Sequence, residues 1–372
     1  MFAEALFDSD TELSEEEEAE FNDLIPVRGR ITYSSASLDI AGLVRRLKTG
    51  DIVVPQIGKA DEGLEVTPFQ RGFVWSKQQM DSFVESMLLG YPTPSLFFVN
   101  QGDGKMIVLD GQQRLETLRM FYDGIYRDKV YRLALKGSQF DKKSYVELEA
   151  DSRRFLDNSY LSVTVIRLES SPHAVEAVYD VFARLNSGGT KLTPHEIRMA
   201  LYNGPLMQMV DELNHDPSWR KLYGGPLNRR FRDHELVLRI IALYMCEKEY
   251  KKPLGGFLNT FSAEHRFSSA ENLLEESRLF SQVAGLYAEL NNPTIFSTSE
   301  RKQLNTSKAD SLMIGAMRYI ANGGKITPAK AAQVLATLEQ DDGYVTSISQ
   351  ATSDEPNVHL RIAAVLNGFS NE

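Results

Sequence analysis

Lys105-Met106-Ile107-Val108-Leu109-Asp110-Gly111-Gln112-Gln113-Arg114 is the stretch on which the fold turns. Its first half is a short apolar run with the branched residues that suit a strand. From Gly111 the period changes to helical, with Leu115, Leu118, Met120 and Phe121 following before Gly124. A strand therefore turns through glycine directly into a helix. Upstream, Ser95 to Val99 is a second apolar segment, separated from Lys105 to Leu109 by Gly102-Asp103-Gly104, which predicts a hairpin.

Further elements follow from the same signals. Ser37 is expected to cap a short helix through Lys48, closed by Gly50, with Ile52 to Pro55 as a short strand. Ser76 with Gln79 makes a capping box ahead of Met80, Phe83, Val84, Met87 and Leu88, and Gly90 and Pro92 end that helix. Val130 to Leu135 and Leu161 to Leu168 are strand candidates, and Pro172 opens a helix closed by Asn186-Ser187-Gly188-Gly189. Beyond it no strong strand occurs. Thr193-Pro194-His195-Glu196 is a capping box with proline at the first helical position. Helical patterns recur around Leu206 to Leu213, Asp233 to Tyr250, Ala270 to Leu290, Lys308 to Ile320 and Pro328 to Leu338. The expected class is α+β: a tail over 1–29, an α+β domain over 30–170, a helical continuation over 171–252 and a helical region over 253–372.

The chain has 372 residues, 42% hydrophobic and 25% charged, and a formal charge of -10. Met1 to Leu24 holds ten acids and no base, so the remaining 41 acids balance the 41 bases. The acidity thus belongs to the tail, which reads as a solvated segment or as a nucleic-acid mimic covering a basic cleft. One cysteine, Cys246, excludes an internal disulfide and a thiolate metal cluster and points to a reducing, cytoplasmic setting. There is no apolar run of about 18 residues and no basic n-region, so neither a membrane span nor a signal peptide is expected.

Four segments can carry chemistry. At the strand-to-helix turn, a helix start offers backbone N–H groups and the positive end of the helix dipole. Gly111 permits close approach there, and Arg114 adds a bidentate donor, which together suit a phosphate. The competing reading is that Asp110 caps the helix while Arg114 pairs with Asp110 or Glu116. Phe69-Gln70-Arg71-Gly72-Phe73-Val74-Trp75 interleaves aromatics with donors, as base stacking requires, although burial of Phe69, Phe73 and Trp75 explains the rings equally well. The double glycine Gly188-Gly189, flanked by Arg184, Lys191 and Arg198, can form an anion nest, but its spacing is not that of a P-loop. Asn228-Arg229-Arg230-Phe231-Arg232-Asp233-His234-Glu235 can contact nucleic-acid phosphates or form a solvated ion-pair face. No HExxH, CxxC pair, nucleophile elbow or post-strand GxGxxG is present. His215, Asn228 and His234 stand in the order of a histidine nuclease without its surrounding metal-site pattern.

Taken together, Phe69 to Trp75, Leu109 to Arg114, and Phe182 to Glu196 resemble the GmrSD restriction endonuclease N-terminal domain family, over roughly residues 38 to 245. The family is similar in fold to the ParB/sulfiredoxin superfamily, which binds nucleotide phosphates at a strand-to-helix corner. The resemblance implies a nucleoside triphosphate site at Asp110, Gly111, Gln112, Gln113 and Arg114, with Phe69, Gln70, Arg71 and Trp75 in the nucleotide or modification-sensing pocket. Arg184, Asn186, Gly188 and Gly189 of the anion nest are further expected nucleotide contacts. Asp110, Gln113 and Arg114 are the expected catalytic residues, and phosphoryl transfer calls for Mg2+. Phe69, Trp75, Arg229, Arg230 and Arg232 are the expected DNA contacts. It further implies an NTP-hydrolysing sensor of modified DNA in restriction or antiviral defence, whose nuclease is a fused domain or a partner subunit. A non-enzymatic, nucleotide-switched adaptor and a nuclease in its own right are the rival readings, and a homo-oligomer is left open. Leu254 to Glu372 departs from the fused pattern because it lacks a histidine nuclease signature, and the acidic tail is not accounted for.

Overall fold

In the computed structural model, the residues described are 32–54, 75–100, 105–167, 181, 193–228, 230–269, 271–297 and 304–370. They fall into an α+β unit over 32–167 and a helical unit over 193–370.

The α+β unit runs β1 (Thr32–Asp39), α1 (Ile40–Thr49), β2 (Ile52–Val53), α2 (Lys77–Leu88), β3 (Leu96–Asn100), β4 (Met106–Asp110), α3 (Gln112–Asp123), a two-residue pair β5 (Ile125–Tyr126) and β6 (Lys129–Val130), α4 (Ala150–Asn158) and β7 (Tyr160–Arg167). The sheet order is β1-β7-β3-β4-β2. β7 is antiparallel to β1 and parallel to β3, and β4 is antiparallel to β3 and parallel to β2. The hairpin expected from Ser95 to Leu109 is present, while its Gly102-Gly104 turn lies outside the described residues. One core holds Phe98, Val108, Leu161 and Val163 of the sheet against Leu43, Val84, Leu118 and Leu156, one from each of the four helices.

Two expected elements differ. Ser37 does not cap a helix: residues 32–39 form β1, and Asp39 caps α1 by accepting from Gly42 N at 2.6 Å. The serine-rich strand is exposed along most of its length at the sheet edge, so it carries no apolar alternation to announce it. Val130 to Leu135 alternates in burial as a strand would, yet only Val130 lies in a ladder. The segment is extended, but its backbone is held otherwise: Leu133 N donates to Lys143 O at 3.0 Å, Ala134 N to the buried Asp81 carboxylate at 3.0 Å, and Leu135 N to Asp141 Oδ1 at 2.8 Å. Lys77 also pairs with Asp81, so this carboxylate ties α2 to the extended segment.

The helical unit comprises α5 (Pro194–Leu201), α6 (Pro205–Asn214), α7 (Pro217–Tyr223), α8 (Arg232–Cys246), α9 (Leu254–His265), α10 (Leu274–Glu289), α11 (Thr306–Ala321), α12 (Pro328–Leu338), α13 (Asp342–Ser349) and α14 (Glu355–Ser370). Ion pairs run across residue 252 within this unit. Arg239 of α8 pairs with Asp310 of α11 at 2.6 Å, and Arg361 of α14 holds the same carboxylate at 2.9 Å through both Nε and Nη2. No helix among the described residues is long and apolar enough to cross a membrane.

Candidate functional site: the β4–α3 corner

β4 ends at Asp110, and the chain turns at Gly111 with φ +96°, a left-handed conformation that L side chains rarely adopt. A Cβ here would stand 2.2 Å from Leu96 Cδ2, so the residue is glycine for two independent reasons. Gly111 O accepts from Leu115 N at 3.0 Å, and no side chain caps the helix. Asp110 therefore does not take the capping role. The leading N–H groups of α3 have no carbonyl partner within the helix, as at any helix start.

Arg114 is anchored. Its guanidinium donates to Pro94 O through Nη1, and through Nη2 to Ser95 O at 3.2 Å and Asp110 Oδ2 at 2.8 Å. Burial lowers its pKa, and Asp110 beside it pushes the other way. The two partners are unequally placed: the Arg114 side chain is 11% exposed and that of Asp110 42%. Gln112 folds back toward Val108 O at 3.4 Å, and Gln113 Oε1 accepts the backbone N–H of Trp75 at 3.2 Å. Glu116 is buried and committed to Arg119, whose Nε and Nη2 both donate to its Oε2 at 2.9 and 2.8 Å. Of the two acids near Arg114 in sequence, Asp110 and Glu116, only Asp110 faces outward. One outward carboxylate could serve as a single protein ligand to Mg2+, whose remaining ligands would be phosphate and water. Among the described residues no group of three or more His, Cys, Asp or Glu could hold a metal by itself.

The remaining site residues divide. Trp75 is half-buried and packs edge-on to Phe83 with centroids 5.6 Å apart, so its ring belongs to the core rather than to an open stacking platform. Arg230, expected on DNA, is buried with Nη2 at 3.4 Å from Glu196 Oε2 and has no surface to give a phosphate. Arg232 is half-buried at the start of α8. Phe69, Gln70, Arg71, Arg184, Asn186, Gly188, Gly189 and Arg229 lie outside the described residues, as does the acidic tail.

Sequence reading did not find a polar network inside the helical unit. Arg198 donates through Nε to Asn259 Oδ1 at 2.9 Å and through Nη1 to Glu235 Oε1 at 3.2 Å, and Nη1 also meets His195 Nδ1 at 3.2 Å. An arginine can only donate, so His195 Nδ1 is the acceptor and its proton sits on Nε2, aimed at His234 Nδ1 at 2.8 Å. Burial lowers both histidine pKa values, His234 to about 4, and Arg198 and His234 further disfavour a proton on His195. The only signal in the sequence is that His195 and Arg198 share a helix face with apolar neighbours. His215, which closes α6, donates its Nδ1–H to Asp211 O at 2.8 Å.

Residues 55–203 match the family model described as GmrSD restriction endonuclease, N-terminal domain, a segment that contains the whole corner. No curated protein matches the chain. No solved structure matches it either.

Proposed function

We propose that this chain, which carries a GmrSD-type N-terminal domain and so belongs in a restriction context, is its nucleotide-binding and nucleotide-hydrolysing, DNA-sensing subunit, with strand cleavage supplied by a partner. The observation that carries the reading is the uncapped start of α3, opened by a left-handed glycine, with Arg114 fixed beside it. Triphosphate oxygens would accept from the first-turn amides, where the helix dipole favours negative charge. Arg114 is pinned by two backbone carbonyls, so once Asp110 moves aside its guanidinium would need no shift of its own to stabilise charge developing on a transferred phosphoryl group. Mg2+ would neutralise the phosphates, with Asp110 as its protein ligand. Gln112 and Gln113, which rest against Val108 O and the Trp75 N–H, would have to turn from these partners to orient phosphate or water.

The nucleotide-switched adaptor is the second reading, favoured by the Asp110–Arg114 ion pair, which occupies the guanidinium. Labelled nucleoside triphosphates, supplied with Mg2+ in the presence and absence of modified DNA, separate the two. Turnover that disappears in a folded Arg114→Ala variant supports the hydrolase, and binding without turnover supports the switch. Unchanged turnover in that variant removes Arg114 from the mechanism.

A further inference from the structure

The unequal burial of the Asp110–Arg114 pair bears on how the corner is regulated. Arg114 cannot follow a departing partner, because Pro94 O and Ser95 O hold its guanidinium and little of it meets solvent. Asp110 can leave, because nearly half of its side chain is already in water and hydration compensates the lost ion pair. No cap ties the carboxylate to the helix start. It thus sits on the arginine as an anion would, at the end of a helix dipole that favours anions.

We propose that Asp110 is an internal stand-in for phosphate, which an incoming triphosphate displaces from Arg114, and that the displaced carboxylate makes binding dependent on a divalent cation. The inference rests on the corner being the triphosphate site. A triphosphate seated on Arg114 faces a carboxylate a few ångströms away, and two like charges so close repel unless a cation lies between them. Asp110 therefore competes with the ligand in the absence of Mg2+ and assists it in its presence.

Calorimetric binding of inorganic tripolyphosphate and of the four ribonucleoside triphosphates, in EDTA and in Mg2+, tests this on the full chain. Asp110→Asn keeps the size and removes the charge; Asp110→Ser is the second variant, and thermal melting checks that each is folded. Without metal, both should bind about five- to tenfold tighter than the unaltered protein, and Mg2+ should then add less to their affinity than to its own. If both variants bind no tighter in EDTA while the unaltered protein binds nucleotide, Asp110 is not a competitor and the inference falls, leaving the proposed function standing. If the variants gain tripolyphosphate affinity but no nucleoside triphosphate binds, the stand-in survives and the nucleotide assignment fails. If no triphosphate binds any of the proteins, both are overturned.

Discussion

Arg361–Asp310 and Arg114–Asp110 are the same pair of residue types in opposite settings. In the helical unit both side chains are fully buried, the carboxylate is gripped by two guanidinium nitrogens of Arg361 and by Arg239, and Arg361 also reaches Thr352 O. At the β4–α3 corner the arginine is sunk among carbonyls while the aspartate looks outward. A sealed pair has no way to exchange its partner and serves only the fold. A pair with one hydrated member can trade that member for a ligand, and this is what separates a structural charge from one available for chemistry.

The contrast is sharpest where a sealed charge is orphaned. Arg361→Ala should destabilise the helical unit by about 3–5 kcal/mol in denaturant titration, because it leaves Asp310 buried beside a single remaining cation. A loss below 1 kcal/mol would show that water reaches Asp310 and that the two pairs are alike. At the corner the backbone, rather than the ion pair, is the rigid part. Gly111→Ala should cost about 1–3 kcal/mol for its positive φ, plus the displacement of Leu96. Measured on a Leu96→Ala background, whose own core cavity is the reference, Gly111→Ala should cost only the backbone share, and no cost there in thermal melts would mean that the turn stores no backbone strain.

The buried histidines give a dependence on pH. Their folded pKa values lie below the ordinary value of about 6.5, so the unfolded chain takes up their protons first. Stability from the neutral pair is complete above that value and declines as pH falls toward about 4, the His234 value. The groups facing the pair oppose each other, since Asp233 and the Met207 carbonyl favour a proton on His234 whereas His215 disfavours it. A His195→Gln variant, which can still accept from Arg198, should show a flatter melting temperature between pH 7 and 5. An unaltered slope would assign the acid sensitivity elsewhere. The smallest effect belongs to an exposed cap: Ser76→Ala removes the acceptor of the Gln79 N–H and should cost about 1 kcal/mol.

Much of the frame was legible because its signals are local. The β3–β4 hairpin, the glycine that opens α3, the Ser76 and Thr193 capping boxes and the start and end of α12 all follow from residues within a few positions of one another. The misreadings share a physical cause. β1 is an exposed edge strand whose partner, β7, lies more than a hundred residues later, so its serines resembled a cap. Residues 131–135 have a strand's alternation, but their backbone bonds go to side chains and a loop. Arg230 belongs to a basic run that reads as surface, and only the approach of Glu196 shows it to be inside.

The sequence alone determined that a strand hands over to a helix at Gly111, and that an acid, two amides and an arginine cluster there, because short-range periodicity and backbone sterics depend only on neighbours. Tertiary structure alone decided what that arginine touches. Its anchors are carbonyls about twenty residues upstream, which carry no side-chain signature, and the sheet brings them within hydrogen-bonding distance. Whether a charge is sealed or exchangeable depends on which distant atoms exclude water from it, and chain order does not record that.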